Sequence, residues 1–467
     1  MLFNSIDFLI FFSVFLLGYY LARHHLQARN RLIVVASYIF YAWWDYRFVG
    51  LLLWSTFVDY WVALALAKTT IMNRRKALLV ISLVSNLGVL FFFKYFDFFR
   101  ESTRLLLAEL GMEAHWTGMQ FILPVGISFY TFQTLSYTID VYRGKIPPTR
   151  DVAQFMAFVA FFPQLVAGPI ERASHLLPQL AATVKIDLRM LESGIWLFIW
   201  GLFKKVVLAD SFAYFVDPTF SFVEPEASQT IIGVTAFALQ IYCDFSGYTD
   251  MARGMARMLG FDLMQNFNLP YFATSVQDFW HRWHISLSTW LRDYLYLPLG
   301  GNRRGRFRTY LNLMIVMLLG GLWHGAAWNF VAWGLWQGVG LVINRWWRQT
   351  VTPRWTMPSW AGWMLTILFT LYGWLLFRSS SVDQVLQLTG SLGNWAPEHW
   401  VPLQIRELFL LASPLLAMQI WQWRSNDPEA TMRLPGWARG LVQGVLIYLI
   451  ILFWGTDEPS SFIYFQF

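Results

Sequence analysis

The stretch TYLNLMIVMLLGGLWHGAAWNFVAWGLWQGVGLVI, residues 309–343, decides the fold class because it contains no Asp, Glu, Lys or Arg. A helix that crosses a bilayer needs about 20 mostly apolar residues. One continuous helix over this stretch would be about 50 Å long, well beyond a hydrocarbon core of about 30 Å. Gly320, Gly321 and Gly325 lie near its middle. We therefore expect two membrane segments or one broken helix here.

The whole chain has the composition of a protein surrounded by lipid. Of its 467 residues, 57% are apolar and 13% are charged, whereas an average soluble domain has about 25% charged residues. So few charges exclude a disordered chain and argue against a water-soluble enzyme. Apolar runs recur from residues 7–22 to residues 437–455. We expect an all-α integral membrane protein, a polytopic bundle with about ten to thirteen membrane passages, some of them re-entrant.

Charge and cysteine content narrow the class further. The single cysteine, Cys243, excludes an intrachain disulfide and a cysteine-rich metal site. The net charge of +7 comes from short basic clusters between apolar runs, at 23–31, 68–76 and 303–308. This pattern is typical of cytoplasmic membrane loops rather than of a nucleic-acid surface. No repeat or separate soluble domain is found, so we expect one membrane domain over residues 1–467.

The eight histidines fall into two groups. Five lie in polar loops or at the ends of apolar runs, where we expect surface imidazoles: His24, His25, His115, His175 and His399. His324 differs because it lies inside the charge-free stretch, next to Gly325. A polar side chain at membrane depth lines a cavity or pairs internally. Position alone therefore leaves two interpretations open: a functional group, or a core imidazole bonded to a neighbouring helix.

The segment 277–294 has the pattern of one amphipathic helix. At about 100° per residue, six apolar side chains fall on one face. They are Trp280, Trp283, Leu287, Trp290, Leu291 and Tyr294. His284 lies inside this arc and His281 at its border, so His284 is expected to face the interior. The pattern alone favours a satisfied core histidine there.

Metal binding and acyl transfer are the two chemistries that these histidines suggest. A zinc site of His281, His284 and His324 is conceivable, but helical spacing directs the first two about 60° apart. In addition, no acidic residue is placed behind them, so no metal is expected. Histidines in a cavity suit acyl transfer instead, because a neutral imidazole can take the proton of an attacking hydroxyl.

Further ionisable residues interrupt apolar runs. They are Asp59, Lys204, Lys205, Asp244 and Asp250. Helix ends that reach water, with snorkelling lysines, explain them as well as a polar path into the membrane does. The glycine-rich residues 300–305 lack the Lys-Ser/Thr ending of a phosphate-binding loop. We expect a basic turn there that attracts an anionic donor or lipid headgroups.

Several motifs, in order along nearly the whole chain, resemble one known family. They are PVGISFY at 124–130, FFPQLVAGPI at 161–170, YCDFSGY at 242–248, DFWHRWHISLS at 278–288, WLRDYLYLPLGG at 290–301, LWHG at 322–325 and SFIYFQF at 461–467. Together they look like the signature of the membrane-bound O-acyltransferases. They are most similar to the bacterial branch that contains alginate O-acetylation proteins.

This resemblance implies a fold and a site. The fold would be about eleven transmembrane helices with re-entrant segments around a central tunnel, with a catalytic core at about 121–345. His324 would be the catalytic histidine and His284 the second active-site histidine. His281 receives no catalytic role, because the family commonly has a basic residue at that position. The substrate-binding residues stay unassigned, with four candidates: Trp283, Trp323, Tyr242 and Asp244.

The implied reaction is acetyl transfer from a cytoplasmic donor, acetyl-CoA, across the bacterial inner membrane. The acceptor would be an exopolysaccharide such as alginate or cellulose, and no cofactor is expected besides the donor. A separate periplasmic acetyltransferase of the SGNH type, with a Ser-His-Asp site, and the polysaccharide machinery would be the partners. Two alternatives stay open: the same chemistry serving peptidoglycan or D-alanylation, and a transporter without chemistry of its own.

Overall fold

Every regular element in the described part of the chain is helical. The computed structural model describes residues 1–112, 121–166, 168–221, 225–352, 355–395, 400–455 and 462–463. Among these residues there is no β-strand. The all-α fold class is therefore confirmed.

The helices group into two compact units. Unit 1 comprises Met1–Leu191 and Met255–Met264, and unit 2 comprises Glu192–Gly254 and Gln265–Phe467. The single domain over 1–467 stays a prediction.

Unit 1 begins with nine helices. They are α1 (Ile6–Ala22), α2 (Leu26–Asp45), α3 (Val49–Lys68), α4 (Met72–Leu90), α5 (Phe96–Glu109), α6 (Ile127–Tyr142), α7 (Val152–Ala160), α8 (Phe162–Leu165) and α9 (Ala173–Ala181). A 3₁₀ turn, Tyr46–Phe48, joins α2 to α3, and a π-helical turn, Phe91–Tyr95, joins α4 to α5.

Unit 2 contains most of α10 and α12 together with nine further helices. The helices are α10 (Leu188–Phe203), α11 (Asp210–Thr219), α12 (Ala227–Met258), α13 (Val276–Arg282), α14 (Ile285–Leu291), α15 (Gly305–His324), α16 (Trp328–Thr350), α17 (Ser359–Arg378), α18 (Val382–Ser391), α19 (Val401–Ser425) and α20 (Gly436–Phe453). Two π-helical turns, Lys204–Ala209 and Arg292–Tyr296, follow α10 and α14, respectively.

Side-chain caps define where several of these helices begin. The Ser5 hydroxyl accepts from the Phe8 N–H at the start of α1. Ser275 does the same for the Asp278 N–H at the start of α13. Such caps satisfy backbone donors that the first helical turn leaves without an internal partner.

In the part of the chain that the structure describes, six helical segments are long and apolar enough to cross a membrane. They are Leu26–Lys68, Met72–Glu109, Ala227–Met258, Ser359–Arg378, Val401–Ser425 and Gly436–Phe453. Two shorter apolar helices, Ile6–Ala22 and Val152–Leu165, accompany them. These segments fit a polytopic membrane protein, whereas the count of about eleven is not confirmed.

The charge-free stretch forms a helical hairpin, which confirms the expected break. Helix α15 ends at His324, and α16 begins at Trp328. The two helices touch through glycine: a Cβ on Gly321 would lie 2.2 Å from the Phe330 carbonyl oxygen. A Cβ on Gly334 would lie 2.5 Å from the Met317 carbonyl oxygen. Glycine is required at both positions because the two backbones approach so closely.

Asp59 is part of the buried structure of unit 1. It is fully buried, and its carboxylate accepts hydrogen bonds from Ser82, Thr138 and Asn86, the last two at 2.6 and 2.8 Å. Such multiple hydrogen bonds are what a buried carboxyl group requires.

Candidate active site

The segment around His284 is a broken helix, so the continuous helix expected over 277–294 is wrong. Helix α13 ends at Arg282, and α14 begins at Ile285. His284 lies between them with φ 43° and ψ 54°, in the left-handed region. For a residue with a side chain this conformation costs about 1–2 kcal/mol. Strained backbone of this kind is common at functional sites.

A neighbouring loop of unit 2 stabilises this break by hydrogen bonds. The carbonyl oxygen of Asn266 accepts from the Ile285 N–H at 2.9 Å, and its Oδ1 accepts from the Ser286 N–H at 3.2 Å. On the other side of the break, the Asn268 N–H donates to the Arg282 carbonyl at 2.9 Å. Asn266 is fully buried. The loop thus occupies backbone groups that a continuous helix would have used internally.

The His284 side chain is nevertheless interior, as expected, and His281 is exposed. The His284 imidazole packs with its edge against Phe245 at a ring-centroid distance of 4.7 Å. Within the described ranges, neither of its ring nitrogens has a hydrogen-bond partner. A buried polar group in this condition requires an explanation. It is not the satisfied core histidine that the helical pattern favoured.

His324 is the last residue of α15 and is also buried, with 5% exposure. Its ring lies among aromatic side chains, 5.0 Å from Trp333 and 5.3 Å from Phe377 between centroids. The next residue, Gly325, leaves the helix in extended conformation. A Cβ on Gly325 would lie 2.1 Å from the Phe330 ring, so only glycine fits beside the histidine.

One indole connects the two histidines. The Trp323 ring lies 5.9 Å from the His284 ring and 5.0 Å from the His324 ring, centroid to centroid. The separation of the two imidazoles therefore cannot exceed the sum of these two distances. The structure brings the two histidines of the sequence motifs into one aromatic cluster in unit 2.

The other candidate residues occupy different places around this cluster. Trp283 is buried, and its ring centroid lies 4.8 Å from that of Trp374 and 5.0 Å from that of Phe267. The ring centroid of Tyr242 lies 6.3 Å from that of Trp283, and Tyr242 also lines a cavity. Asp244 is buried, and its Oδ2 accepts from the Ile463 N–H at 2.7 Å.

The two lysines left open by the sequence are both paired inside unit 2. Lys204 Nζ lies 2.6 Å from Asp250 and 2.9 Å from the Ser246 hydroxyl. Lys205 Nζ lies 2.8 Å from Asp210 and 2.9 Å from Asp244. The lysine side chains are 3% and 1% exposed, so neither snorkels to water.

A cavity of about 580 Å³ opens beside the cluster in unit 2. Its walls combine tryptophans, amides and both signs of charge. They include Trp196, Trp200, Lys204, Tyr242, Asp250, Arg253, Gln265, Asn268, Arg282, Gln422, Trp423, Asp427 and Glu429. Phe267 is also in the wall, and its ring lies 5.0 Å from Phe245, which contacts His284. Two aromatic rings, Phe267 and Phe245, therefore lie between this cavity and the His284 imidazole. The central tunnel stays a prediction.

Three of the five histidines expected at the surface lie in the described part of the chain, all in unit 1. His24 and His25 are exposed, and His115 and His399 lie outside the described residues. His175 is half-buried in unit 1, and its Nδ1 lies 2.9 Å from Glu171. This hydrogen bond to the carboxylate raises the pKa of His175.

Sequence reasoning missed two residues that shape the site. Asn266 was not singled out, although an Asn shortly before a proline is a common turn and capping residue. Phe245 belongs to the motif YCDFSGY, but nothing in that pattern indicates its contact with His284. Both contacts join parts of the chain that are distant in sequence.

Residues 148–382, which contain both histidines, match the membrane-bound O-acyltransferase family. The chain belongs to this family. It is 42% identical over 422 residues to the probable alginate O-acetylase AlgI of Azotobacter vinelandii, covering 89% of this chain and 83% of the relative.

Two further relatives have other names. The peptidoglycan O-acetyltransferase of Helicobacter pylori is 37% identical over 430 residues, covering 84% of this chain and 80% of the relative. The teichoic acid D-alanyltransferase of Streptococcus thermophilus is 28% identical over 268 residues, covering 52% of this chain and 62% of the relative. The protein is thus an acyltransferase and a multi-pass membrane protein, which argues against a transporter without chemistry of its own.

Proposed function

We propose that the protein takes an acetyl group from cytoplasmic acetyl-CoA and passes it across the bacterial inner membrane for O-acetylation of an exopolysaccharide such as alginate or cellulose. The observation that carries this proposal is the buried, strained His284, one indole away from His324. Family membership supports the acyl transfer, and the identity to alginate O-acetylases supports the acceptor class.

In the proposed reaction His324 acts in one of two ways. As a general base, it removes the proton of the acceptor hydroxyl, whose oxygen attacks the thioester carbonyl carbon. The carbon–sulfur bond then breaks, and the thiol leaves with the proton from His324. As a transient carrier, a His324 nitrogen attacks the thioester carbonyl carbon, the carbon–sulfur bond breaks, and the thiol leaves with the proton of the other ring nitrogen. The acceptor hydroxyl then attacks the acetyl carbon, the carbon–nitrogen bond breaks, and the hydroxyl proton returns to the imidazole. His284 orients the acceptor or stabilises the developing charge.

The cavity supports a cytoplasmic donor. Its wall includes Gln422 and Glu429, at the connection between α19 and α20. This connection is flanked by Arg424, Arg433 and Arg439. Because basic residues concentrate in cytoplasmic loops, we expect this end of unit 2 to face the cytoplasm. A donor in the cavity would have its thioester two aromatic rings, Phe267 and Phe245, from His284.

A photoreactive acetyl-CoA analogue tests the donor route. We expect labelled peptides to map to the cavity wall, and labelling to decrease in the presence of excess acetyl-CoA. Labelling that is confined to residues of unit 1 would contradict the route.

The decisive test of the function is His324→Ala, with His281→Ala as the matched control from the neighbouring motif. We expect polymer acetylation to fall by about 10²–10⁴-fold in the first variant, because a general acid–base group contributes that much. The second should retain it, because His281 is exposed. Polymer-bound acetate is measured by NMR at equal membrane levels of protein. Retained acetylation in His324→Ala would remove the catalytic assignment.

Peptidoglycan is a second acceptor that one observation favours, the 37% identity to the Helicobacter pylori enzyme. Deletion of the gene separates the two: it should lower acetate on the exopolysaccharide and leave muropeptide acetylation unchanged. The reverse result would transfer the proposal to peptidoglycan. The expected partner is a periplasmic SGNH-type acetyltransferase that completes the transfer, working with the machinery that makes and exports the polysaccharide.

A further inference from the structure

Residues Phe462 and Ile463 dock onto the middle of α12 in unit 2. Phe462 is fully buried, and Ile463 is 5% exposed. The Ile463 N–H donates to Asp244 Oδ2 at 2.7 Å. The other oxygen of this carboxylate lies 2.9 Å from Lys205 Nζ. A backbone donor and a buried ion pair thus meet at the same carboxyl group.

The Phe462 ring continues this contact toward the candidate active site. It lies 4.5 Å from the Tyr248 ring and 5.8 Å from the Phe245 ring, between centroids. Phe245 is itself fully buried, and its ring meets the His284 imidazole at 4.7 Å with an interplanar angle of 88°. One side chain therefore lies between Phe462 and the histidine.

This arrangement matters because of how the His284 ring is held. Active-site imidazoles are commonly oriented by a hydrogen bond to the second ring nitrogen. Among the described residues His284 has no such bond, so ring contacts set its orientation. The described ring contacts are those with Phe245 on one side and Trp323 on the other. Any group that fixes Phe245 therefore also constrains the imidazole.

We propose that Phe462 is a positioning residue for acyl transfer: docked through Ile463 and Asp244, it holds Phe245 against the His284 imidazole. This rests on the proposed function for the role of His284, but not for the position of its ring. Residues 462 and 463 thus support the site from a region far from both histidine motifs in sequence.

The test compares Phe462→Ala with Phe155→Ala in the full-length protein. Phe155 is an equally buried phenylalanine of unit 1, and its described ring contacts are with Tyr60, Tyr137 and Phe158. Diethyl pyrocarbonate modification of His284, followed by mass spectrometry, reports how tightly the imidazole is packed, without donor or acceptor. We expect modification to rise in Phe462→Ala and to stay at the wild-type rate in Phe155→Ala.

Kinetics give the second readout. A misplaced catalytic group costs up to about 10²-fold, so we expect Phe462→Ala to lower kcat by about 10-fold or more with unchanged KM for acetyl-CoA. Phe462→Leu, which keeps most of the buried volume, should recover much of the loss. If the alanine variant does not accumulate, Phe462→Val, which removes more of the buried volume than leucine does, replaces it in both assays.

The outcomes separate this inference from the proposed function. Wild-type His284 reactivity and kcat in Phe462→Ala, or equal changes in Phe155→Ala, would overturn the positioning role and leave the proposed function intact. Full activity of His324→Ala would overturn the proposed function. Even then, a rise in His284 modification in Phe462→Ala but not in Phe155→Ala would support the position assigned to the Phe462 ring.

Discussion

His284 and His324 both lie where a helix ends, but the two ends are built in different ways. At His324 the chain turns because glycines let α15 and α16 approach: Gly321 contacts the Phe330 backbone, and Gly325 contacts its ring. At His284 the chain turns without any glycine, through a left-handed histidine and hydrogen bonds from Asn266. The first end depends on close packing, and the second depends on polar contacts with a distant loop.

The two constructions predict different substitutions as harmful near each histidine. Near His324 an added methyl group should be harmful, because backbone atoms cannot move aside. Near His284 the loss of a polar group should be harmful, because a buried N–H would lose its acceptor.

The largest effect is expected for Gly321→Ala. Its new Cβ would lie 2.2 Å from the Phe330 carbonyl oxygen, so α15 and α16 must separate. Overpacking of this kind costs about 1–3 kcal/mol, and the resulting shift of His324 should lower acyl transfer by about 10²-fold. Thermal unfolding in detergent and acetyl-transfer assays measure both effects.

Gly444→Ala is the matched control for this prediction. Gly444 lies within α20, and a Cβ there meets nothing within 4 Å. Without a clash, alanine is the better helix former, so this variant should be as stable as wild type or slightly more stable. Equal melting temperatures and activities for the two variants would show that the glycine contact does not position His324.

An intermediate effect is expected for Asn266→Ala. This change leaves the Ser286 N–H without its side-chain acceptor at the start of α14, which should cost about 1–2 kcal/mol. Asn268→Ala is the stability control, because Asn268 donates to Arg282 through its backbone. The unfolding temperature should fall only in the first variant. A similar loss in both would show that the Asn266 amide does not support the break.

The smallest effect is expected when glycine and alanine variants are compared at each histidine. The difference in stability between the two variants should have opposite signs at His284 and His324. His284→Gly should be more stable than His284→Ala by about 1 kcal/mol, because glycine accepts the left-handed conformation without strain. At His324, which is helical, glycine should be less stable than alanine by about 0.5 kcal/mol. Denaturant or thermal midpoints of the four variants measure both differences. If glycine and alanine differed with the same sign at both positions, the two backbone conformations would be contradicted.

The sequence predicted the hairpin but not the break at His284, for a physical reason. Length, absence of charge and local glycines in 309–343 are local signals, and the break at Gly325 follows from them. The segment 277–294 contains neither glycine nor proline, and its apolar pattern fits one helix. The hydrogen bonds that interrupt it come from Asn266 and Asn268, which no periodicity in the segment reveals.

For the site, the sequence predicted which histidines are interior but not what surrounds them. His284 was preferred over His281 because of a helical wheel that does not exist there, yet the choice agrees with their burial. Helix α13 keeps the expected wheel only up to Arg282, so the wheel does not itself account for the burial of His284. The aromatic contacts of His324 depend on α16 and α17, so only a three-dimensional arrangement could show them.

The buried pairs of Lys204 and Lys205 have a consequence for how the chain is made. Both lysines follow α10, whereas Asp244 and Asp250 are on α12, which is synthesised later. A lone lysine or aspartate at the centre of a bilayer costs about 2.5–3.5 kcal/mol. Lys205 can pair with Asp210 almost at once, whereas Lys204 would bear this cost until its partner Asp250 is made as part of α12. The two segments should therefore leave the insertion machinery together rather than one at a time.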